Sequence, residues 1–526
     1  MPAEEFSRKK KTIKNGTWGL IYKTSSVLLG LIVRYYFIRF LDPGYLGLEG
    51  LFINVIGIFA LVDMGFSTAI SFNLYKPIRD NDRSLISAIV RLYRKIYLIF
   101  GLIIASLSLI AAPIVPSLIR DCTVEPSRVR IAFLIYAACV TVSYLFSYKR
   151  NILFAYQKNY ICLKVDTAVR LLAAVLELVS LLLLHDYIVY IVILSGSLLL
   201  QNVIISIIAD WLDLYDLKDK TPLPSEYTSK IKNYVKNLAV MDTAWKGIHS
   251  TDNLIISYFI GNYDLSRNAN YTSVGTAVRD TVISFLGGSG APIGDLLAEG
   301  DSGKIRKYFD RNHFIYEFAG MFCMLEFFFC INPFISFWVG DSFRFDTLTV
   351  FFIALDMFLY LSFIGISDYL NLSGCVLKYT PYSIVALIIN ISVSIALGIT
   401  IGTAGVFIGT AATYTFMLSV ISALICKNVT HTSVWQYWKV FLKNVISLAL
   451  MIALSKALLL FIPELPNILL NVLADFAVCL AVFIALTLII YSKDSNYAFF
   501  KELAKSMISK LFGKKKADDD DGDGRV

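Results

Sequence analysis

Continuous apolar stretches recur along the chain from Gly16 almost to Tyr491, and each is closed by a short polar break. A helix rises about 1.5 Å per residue, so roughly 20 apolar residues cover the ~30 Å hydrocarbon core of a bilayer. The breaks divide the chain into about fourteen such stretches. They run over 16–41, 46–74, 91–116, 128–155, 163–184, 186–209, 236–260, 269–298, 313–338, 347–373, 380–400, 403–426, 437–462 and 467–491. None alternates apolar and polar residues at a period of two, the pattern of a spanning strand with one lipid face and one lumen face. The pattern therefore predicts an all-α integral membrane protein.

The polar breaks alternate in charge. Lys and Arg collect at Arg8–Lys11, at Lys76, Arg79 and Arg83, at Arg91, Arg94 and Lys95, at Lys149 and Arg150, and over 218–236, 304–311 and 493–516. The breaks between these carry Arg120, Arg128, Arg130, Arg267 and Arg344. Basic loops stay on the cytoplasmic side, which puts both termini inside, with roughly 35 basic residues inside against about 5 outside. Such an arrangement requires an even number of spans.

Composition agrees with this reading: 57% of residues are hydrophobic and 17% charged, with a mean hydropathy of +0.65. The net charge of +8 is accounted for by the loop asymmetry and by anionic lipid headgroups, so no nucleic-acid partner is expected. The first apolar run is too long for a signal-peptide core and lacks a small-residue cleavage pattern, so it is expected to remain as the first span. The eight Cys show no CxxC pairing and fall mostly within apolar stretches, which predicts neither disulfides nor a metal site. The longest loop, about 210–235, has room only for a linker, and no nucleotide or metal motif is found. Neither a cofactor nor an enzymatic activity is expected. The expected organisation is a cytoplasmic N-terminus (1–15), a first lobe (16–212), a linker (213–235), a second lobe (236–427), two further helices (428–491) and a cytoplasmic tail (492–526). In the tail, Phe499–Lys516 predicts a basic helix on the membrane surface, and the acidic run Asp518–Asp521 predicts disorder.

The turn between the first two spans, Ile38 to Gly47, is echoed between the seventh and eighth, Ser257 to Ser266. Both join an aromatic-aliphatic helix end to a tight polar turn and a new helix. An even number of spans separates them, which predicts parallel repeats about an axis along the membrane normal.

Phe40–Leu51 (FLDPGYLGLEGL) followed by Leu61–Phe66 (LVDMGF) resembles the first hairpin of the bacterial polysaccharide exporters, the Wzx-type flippases of the polysaccharide transporter family. Thr251–Ile256 with Asn270 and Tyr271 resembles the start of that family's second lobe. Phe337–Gly340 resembles the outer end of its ninth span, and Gly402–Gly409 its Gly-rich junction before the twelfth. The resemblance implies the multidrug, oligosaccharidyl-lipid and polysaccharide exporter superfamily. Its fold has two six-helix lobes in a V-shaped arrangement around a central cavity, with two C-terminal helices beside them. It further implies movement of an oligosaccharide linked to undecaprenyl pyrophosphate across the bacterial cytoplasmic membrane by alternating access, for capsule, O-antigen or exopolysaccharide synthesis.

Such a cargo needs cations in a wet cavity and a lateral exit for its tail. Ionisable side chains inside spans are costly and usually face the bundle interior, and Arg pairs phosphate oxygens with its planar fork. Lys23 and Arg34 share one face of the first span, about 16 Å apart along the axis; alternatively Lys23 snorkels to the headgroups and Arg34 pairs with an acid. Asp242, Lys246, His249 and Asn253 line one face of the seventh span, where Asp242 either neutralises Lys246 or leaves it for substrate. Arg170 shares a face with Asp166 and Glu177, so a charge-neutralised helix contact competes with binding. Arg279, beside Asp280, is a further cavity candidate. Arg34, Lys246 and Arg279 are expected to form the anion site. Asp63 is expected to bond a neighbouring helix or to counter Arg34. Asp63, Asp242, His249 and Asp252 are the candidates for coupling to H+ or Na+, while Glu317, Glu326, Asp356 and Asp368 stay unassigned.

Two related functions remain as alternatives. A cation or drug antiporter of the same superfamily would favour acidic and aromatic cavity residues, whereas three spans here offer basic ones. A lipid II flippase would also have a cationic cavity and about fourteen spans.

Overall fold

The computed structural model describes residues 3–42, 44–63, 66–120, 124–224, 227, 246–248, 250–286, 290–463 and 465–502. Among them the chain is helical throughout, without strands. The helices are α1 (Ala3–Phe40), α2 (Gly44–Phe59), α3 (Phe66–Arg79), α4 (Arg83–Ala111), α5 (Pro126–Ala155), α6 (Asn159–Leu183) and α7 (Tyr187–Trp211). Helical residues 246–248 and 250–255 then lead into a π-turn, Ile256–Ile260. The series continues with α8 (Asn262–Leu286), α9 (Gly290–Glu299), α10 (Ser302–Trp338), α11 (Thr347–Leu372), α12 (Val376–Ile401), α13 (Thr403–Ile425), α14 (Val434–Leu459) and α15 (Ile468–Ile490).

Nine of the described helices are long and apolar enough to cross a membrane. The long helices outside that group are α1, α6 and α8, and these carry Lys23 and Arg34, Asp166, Arg170 and Glu177, and Arg267 and Arg279. Their charges reduce hydropathy on faces that lie against other helices, so a helix can be less apolar and still present an oily face to lipid.

The second expected span, 46–74, is not one helix. A 3-10 turn at Ala60–Asp63 separates α2 from α3. Asp63 sits at this tightened turn and its side chain bonds Tyr97 of α4, so a local polar contact replaces the regular helical ladder. The stretch 269–298 likewise divides between α8 and α9.

The chain forms two compact units. One comprises Met1–Val278, Ile331–Asp356 and Leu377–Met417. In it α5 packs on α7 and α4, and α6 packs on α1 and α7. Phe37 meets Tyr190 edge-on at 4.9 Å between centroids, and Phe52 meets Phe133 at 5.5 Å, arrangements favoured by the aromatic quadrupole. The segment after α7 folds back onto this unit: Asp213 pairs with Arg83, the Asp216 N–H donates to Ser87 Oγ at 2.8 Å, and Arg91 donates to the Thr221 carbonyl. Asp219, in the same segment, accepts from the Thr221 hydroxyl (2.6 Å) and N–H (2.8 Å), which hold its carboxyl below the usual range.

The other unit comprises Arg279–Cys330, Met357–Val376 and Leu418–Val526. There α14 packs on α15. A fully buried polar chain joins them to α10: His313 Nδ1 lies 3.2 Å from Glu317 Oε1, Asn444 donates to Glu317 Oε2 at 2.7 Å, and Tyr491 donates to Asn444 at 2.6 Å. The last two helices are thus held to α10 by satisfied hydrogen bonds, which are costly to break where no water can replace them.

In the first unit α12 and α13 turn at Gly402, whose φ of +68° suits glycine, and then approach closely. A Cβ on Gly405 would lie 2.2 Å from the Leu397 carbonyl, and one on Gly409 would lie 2.7 Å from the Ser394 nitrogen. Backbone cannot move aside as a side chain can. Gly405→Ala is therefore expected to destabilise by about 1–3 kcal/mol and to lower the unfolding midpoint in detergent. Gly196→Ala, with open space at its Cβ, is expected to leave the midpoint unchanged or raise it.

Candidate functional site

Four ionisable groups and a tyrosine meet where α1, α2, α6 and α7 converge. Arg170 donates to both oxygens of Glu177 at 2.9 Å, two turns along α6. Glu49 of α2 lies within electrostatic reach of Arg34 and Arg170 and accepts from Tyr190 of α7. Asp166, on the same face as Arg170 by sequence, turns instead to Arg150 of α5 at 2.7 and 2.8 Å. Arg170 is thereby a strut within the bundle, the charge-neutralised reading of its spacing.

Arg34 differs from Arg170 in its hydrogen-bond partners. Its Nη1 donates to the Ala269 carbonyl at 2.5 Å and to Ser273 Oγ at 2.8 Å, with Asn270 Oδ1 at 3.5 Å, all on α8. These acceptors are neutral. A phosphate would form shorter, charge-assisted bonds to the same fork, so the Arg34 contacts are ones an anionic ligand can displace.

Lys246 lies in a second cluster. It interacts electrostatically with Asp63, whose side chain bonds Tyr97, which in turn accepts from Asn151 Nδ2 at 3.2 Å. Gly57 of α2 lies beside the lysine, where an added Cβ would be 4.0 Å from Lys246 Cε. Asp63 is thus placed near Tyr97 of α4 and within electrostatic reach of Lys246. Asp242 and His249 lie outside the described residues.

Asp252 belongs to a third group. Its Oδ2 accepts from Thr410 Oγ1 at 2.8 Å, Asn390 Nδ2 reaches Thr410 Oγ1 at 3.3 Å, and Thr251 Oγ1 donates to Asn390 Oδ1 at 3.0 Å. This set is rich in oxygen donors. Among the described residues no His, Cys, Asp and Glu group suits a transition metal. Lys23 is half-buried on α1. Arg279 belongs to the second unit, where its guanidinium lies over the Tyr360 ring, 3.9 Å from the centroid, a cation–π contact. Arg34 and Lys246, expected in one anion site, fall in separate clusters.

The two echoing turns come together in space. Asn262 Nδ2 donates to the Gly44 carbonyl at 3.0 Å, and a Cβ on Gly47 would strike Asn262 Oδ1 at 2.2 Å. The loop after α4 joins them: the Arg120 N–H donates to Ser257 O at 3.1 Å, Asn262 N–H to Arg120 O at 3.0 Å, and Ser257 Oγ to Leu118 O at 2.8 Å. Gly261, at φ +149°, releases the π-turn into this contact. Beside it lies an apolar crevice of about 370 Å³ lined by Val55, Ile58, Phe59, Ile114, Leu254 and Tyr258.

Sequence reasoning missed Glu49, Tyr190, Tyr97 and Asn390 as members of these clusters. Glu49 was visible as an ionisable residue inside a span; the others are uncharged and carry no signal without their neighbours.

No known family profile matches the sequence, and no curated protein does. Solved structures share the fold. A lipid II flippase MurJ in an inward closed conformation superposes with a TM-score of 0.62 at 14% identity, covering 90% of this chain and 99% of that one. An inward-facing multidrug resistance MATE family transporter of the MOP superfamily gives 0.57 at 16% identity over 76% and 95%. A variant of the Vibrio cholerae MATE transporter VcmN gives 0.56 at 11% identity over 82% and 99%. The chain shares the fold of these structures, a flippase and two transporters.

Arg170 and Glu177 generate a thermodynamic test. Glu177→Ala leaves a buried guanidinium without its partner and is expected to cost about 3–5 kcal/mol, whereas Arg170→Met combined with Glu177→Leu is expected to recover most of that loss. Unfolding midpoints of the wild type and the two variants measure this, and a double variant no more stable than Glu177→Ala would show that the two side chains do not act as a pair.

Proposed function

We propose that this chain is a flippase of the bacterial cytoplasmic membrane, with both termini cytoplasmic, that moves an undecaprenyl-pyrophosphate-linked oligosaccharide to the outer leaflet. The observation that carries the reading is Arg34, a cation on α1 bonded to neutral acceptors on α8. Pyrophosphate displaces such contacts at a gain, since both partners are then ionised. Lys246 offers a second cation, with Asp63 as its resting counter-ion. The apolar crevice beside the joined turns suits a prenyl chain, which needs a lateral path while the polar glycan stays in water. With basic loops inside, the joined turns close the outer end, which supports an inward-opening resting state and alternating access between the lobes 16–212 and 236–427. Lipid II carries the same pyrophosphate and prenyl chemistry and is the nearest alternative cargo. A cation or drug antiporter is disfavoured by the basic groups on α1 and Lys246.

Translocation in liposomes tests the reading. A defined undecaprenyl-pyrophosphate oligosaccharide is expected to become accessible to an external lectin in a protein-dependent way, and Arg34→Gln or Lys246→Gln is expected to slow it at least tenfold. Movement of lipid II alone would reassign the cargo, and uptake of a small organic cation with no lipid movement would reassign the protein to the antiporters.

The oxygen-rich set around Asp252 supports a coupling cation, since Na+ is a hard ion that prefers carboxylate, amide and hydroxyl oxygens. Asp252→Asn is expected to abolish any Na+ dependence of transport while leaving cargo binding intact. Unchanged Na+ dependence would exclude this site, and dependence on H+ alone would identify the carboxyl as a proton carrier.

A further inference from the structure

At the end of α4 and α5 facing the 211–223 segment lies a cavity of about 600 Å³ that the transport reading does not use. Arg91, Arg94 and Lys95 of α4 and Lys149 of α5 line one side of it. Two of these cations have carboxylates: Lys149 lies 2.6 Å from Asp210, and Arg91 lies 3.9 Å from Asp219. Arg94 and Lys95 make no ion pair among the described residues. Among the described residues, the four cations lining the cavity thus outnumber the two carboxylates paired with them.

Its other wall is apolar. Leu98 stands one turn beyond Arg94 on α4, and Leu145 one turn before Lys149 on α5; both line the cavity and both are exposed. The change from cations to exposed leucines happens on both helices within one turn and in the same direction. A free anion has no use for that apolar wall, and a lipid tail has none for the cations. A ligand with a phosphate at one end and a hydrocarbon chain at the other fits both. Leu217, from the segment after α7, closes the polar end, and this segment is itself pinned to α4 through Ser87 and Arg91.

We infer that the cavity is a binding site for an anionic phospholipid of the cytoplasmic leaflet, its phosphate held by Arg94 and Lys95 and its acyl chain laid along Leu98 and Leu145. The inference rests on the orientation argued from loop charge and not on the identity of the cargo. Basic pockets between helices on the cytoplasmic side are suited to anionic headgroups. The competing account is that Arg94 and Lys95 merely snorkel toward any headgroup layer, which predicts no selectivity.

Native mass spectrometry of the full-length protein separates the two. After incubation with equimolar phosphatidylglycerol and phosphatidylcholine, the protein is expected to retain one phosphatidylglycerol in preference to phosphatidylcholine. Arg94→Gln combined with Lys95→Gln is expected to weaken that retention on the order of tenfold, while Arg94→Lys combined with Lys95→Arg keeps it. Both positions are exposed, and an unchanged elution profile and unfolding midpoint without added lipid verify the fold of each variant. Equal retention of the two lipids, or undiminished retention in the double Gln variant, would overturn the inference. So would equal protection by inorganic phosphate, which would mark a simple anion site. Competitive displacement by undecaprenyl pyrophosphate at matched concentration would make the cavity a cargo station instead, and the measurement stands whether or not transport is observed.

Discussion

An ionised side chain surrounded by hydrocarbon must meet an opposite charge, a hydrogen-bond acceptor or water, and the packing of the first seven helices is organised by that requirement. Arg170 is met by Glu177, Arg150 by Asp166, and Lys149 by Asp210. The two pairs between helices fix how those helices are rotated about their axes: Arg150–Asp166 sets α5 against α6, and Lys149–Asp210 sets α5 against the end of α7. The pair within α6 neutralises that helix's own polar face. Apolar contacts then fill the remaining surface, but lipid is as apolar as leucine and gives no reason to prefer one rotation over another.

Within that frame the groups suited to transport are those whose partners are replaceable. Arg34 faces a carbonyl and a hydroxyl, and among the described residues Lys246 lies within electrostatic reach of Asp63 at the break in the second span. A charge locked in a bidentate pair cannot respond to a ligand without leaving its partner stranded. A charge on neutral acceptors can. Structural and functional ions therefore differ here in partner chemistry more than in burial.

Hydrophobic periodicity made the helical architecture legible because the bilayer imposes both a length and a continuous apolarity on each segment. The break at Ala60–Asp63 was not legible: the stretch 50–66 is apolar apart from Asn54 and Asp63, and the group that Asp63 meets belongs to α4. The acidic partner of Arg170 could be read from spacing because it lies on the same helix. Glu49 and Tyr190 could not, because their meeting depends on how α2 and α7 are rotated. The repeat of turn 38–47 at 257–266 was legible as similarity, whereas its meaning as a contact required the fold.

That contact combines backbone hydrogen bonds with apolar packing, since Leu41, Leu46, Ile119, Ile256 and Leu265 share one buried cluster around it. Each of its hydrogen bonds has a ready substitute in a water molecule. Parting the two turns therefore exchanges hydrogen-bond partners at little cost but wets the apolar side chains around them, and it is this second term that draws them together again. The glycine at position 47 sets how near they come, because a methyl group there would meet Asn262 within 2.2 Å and hold the seam ajar.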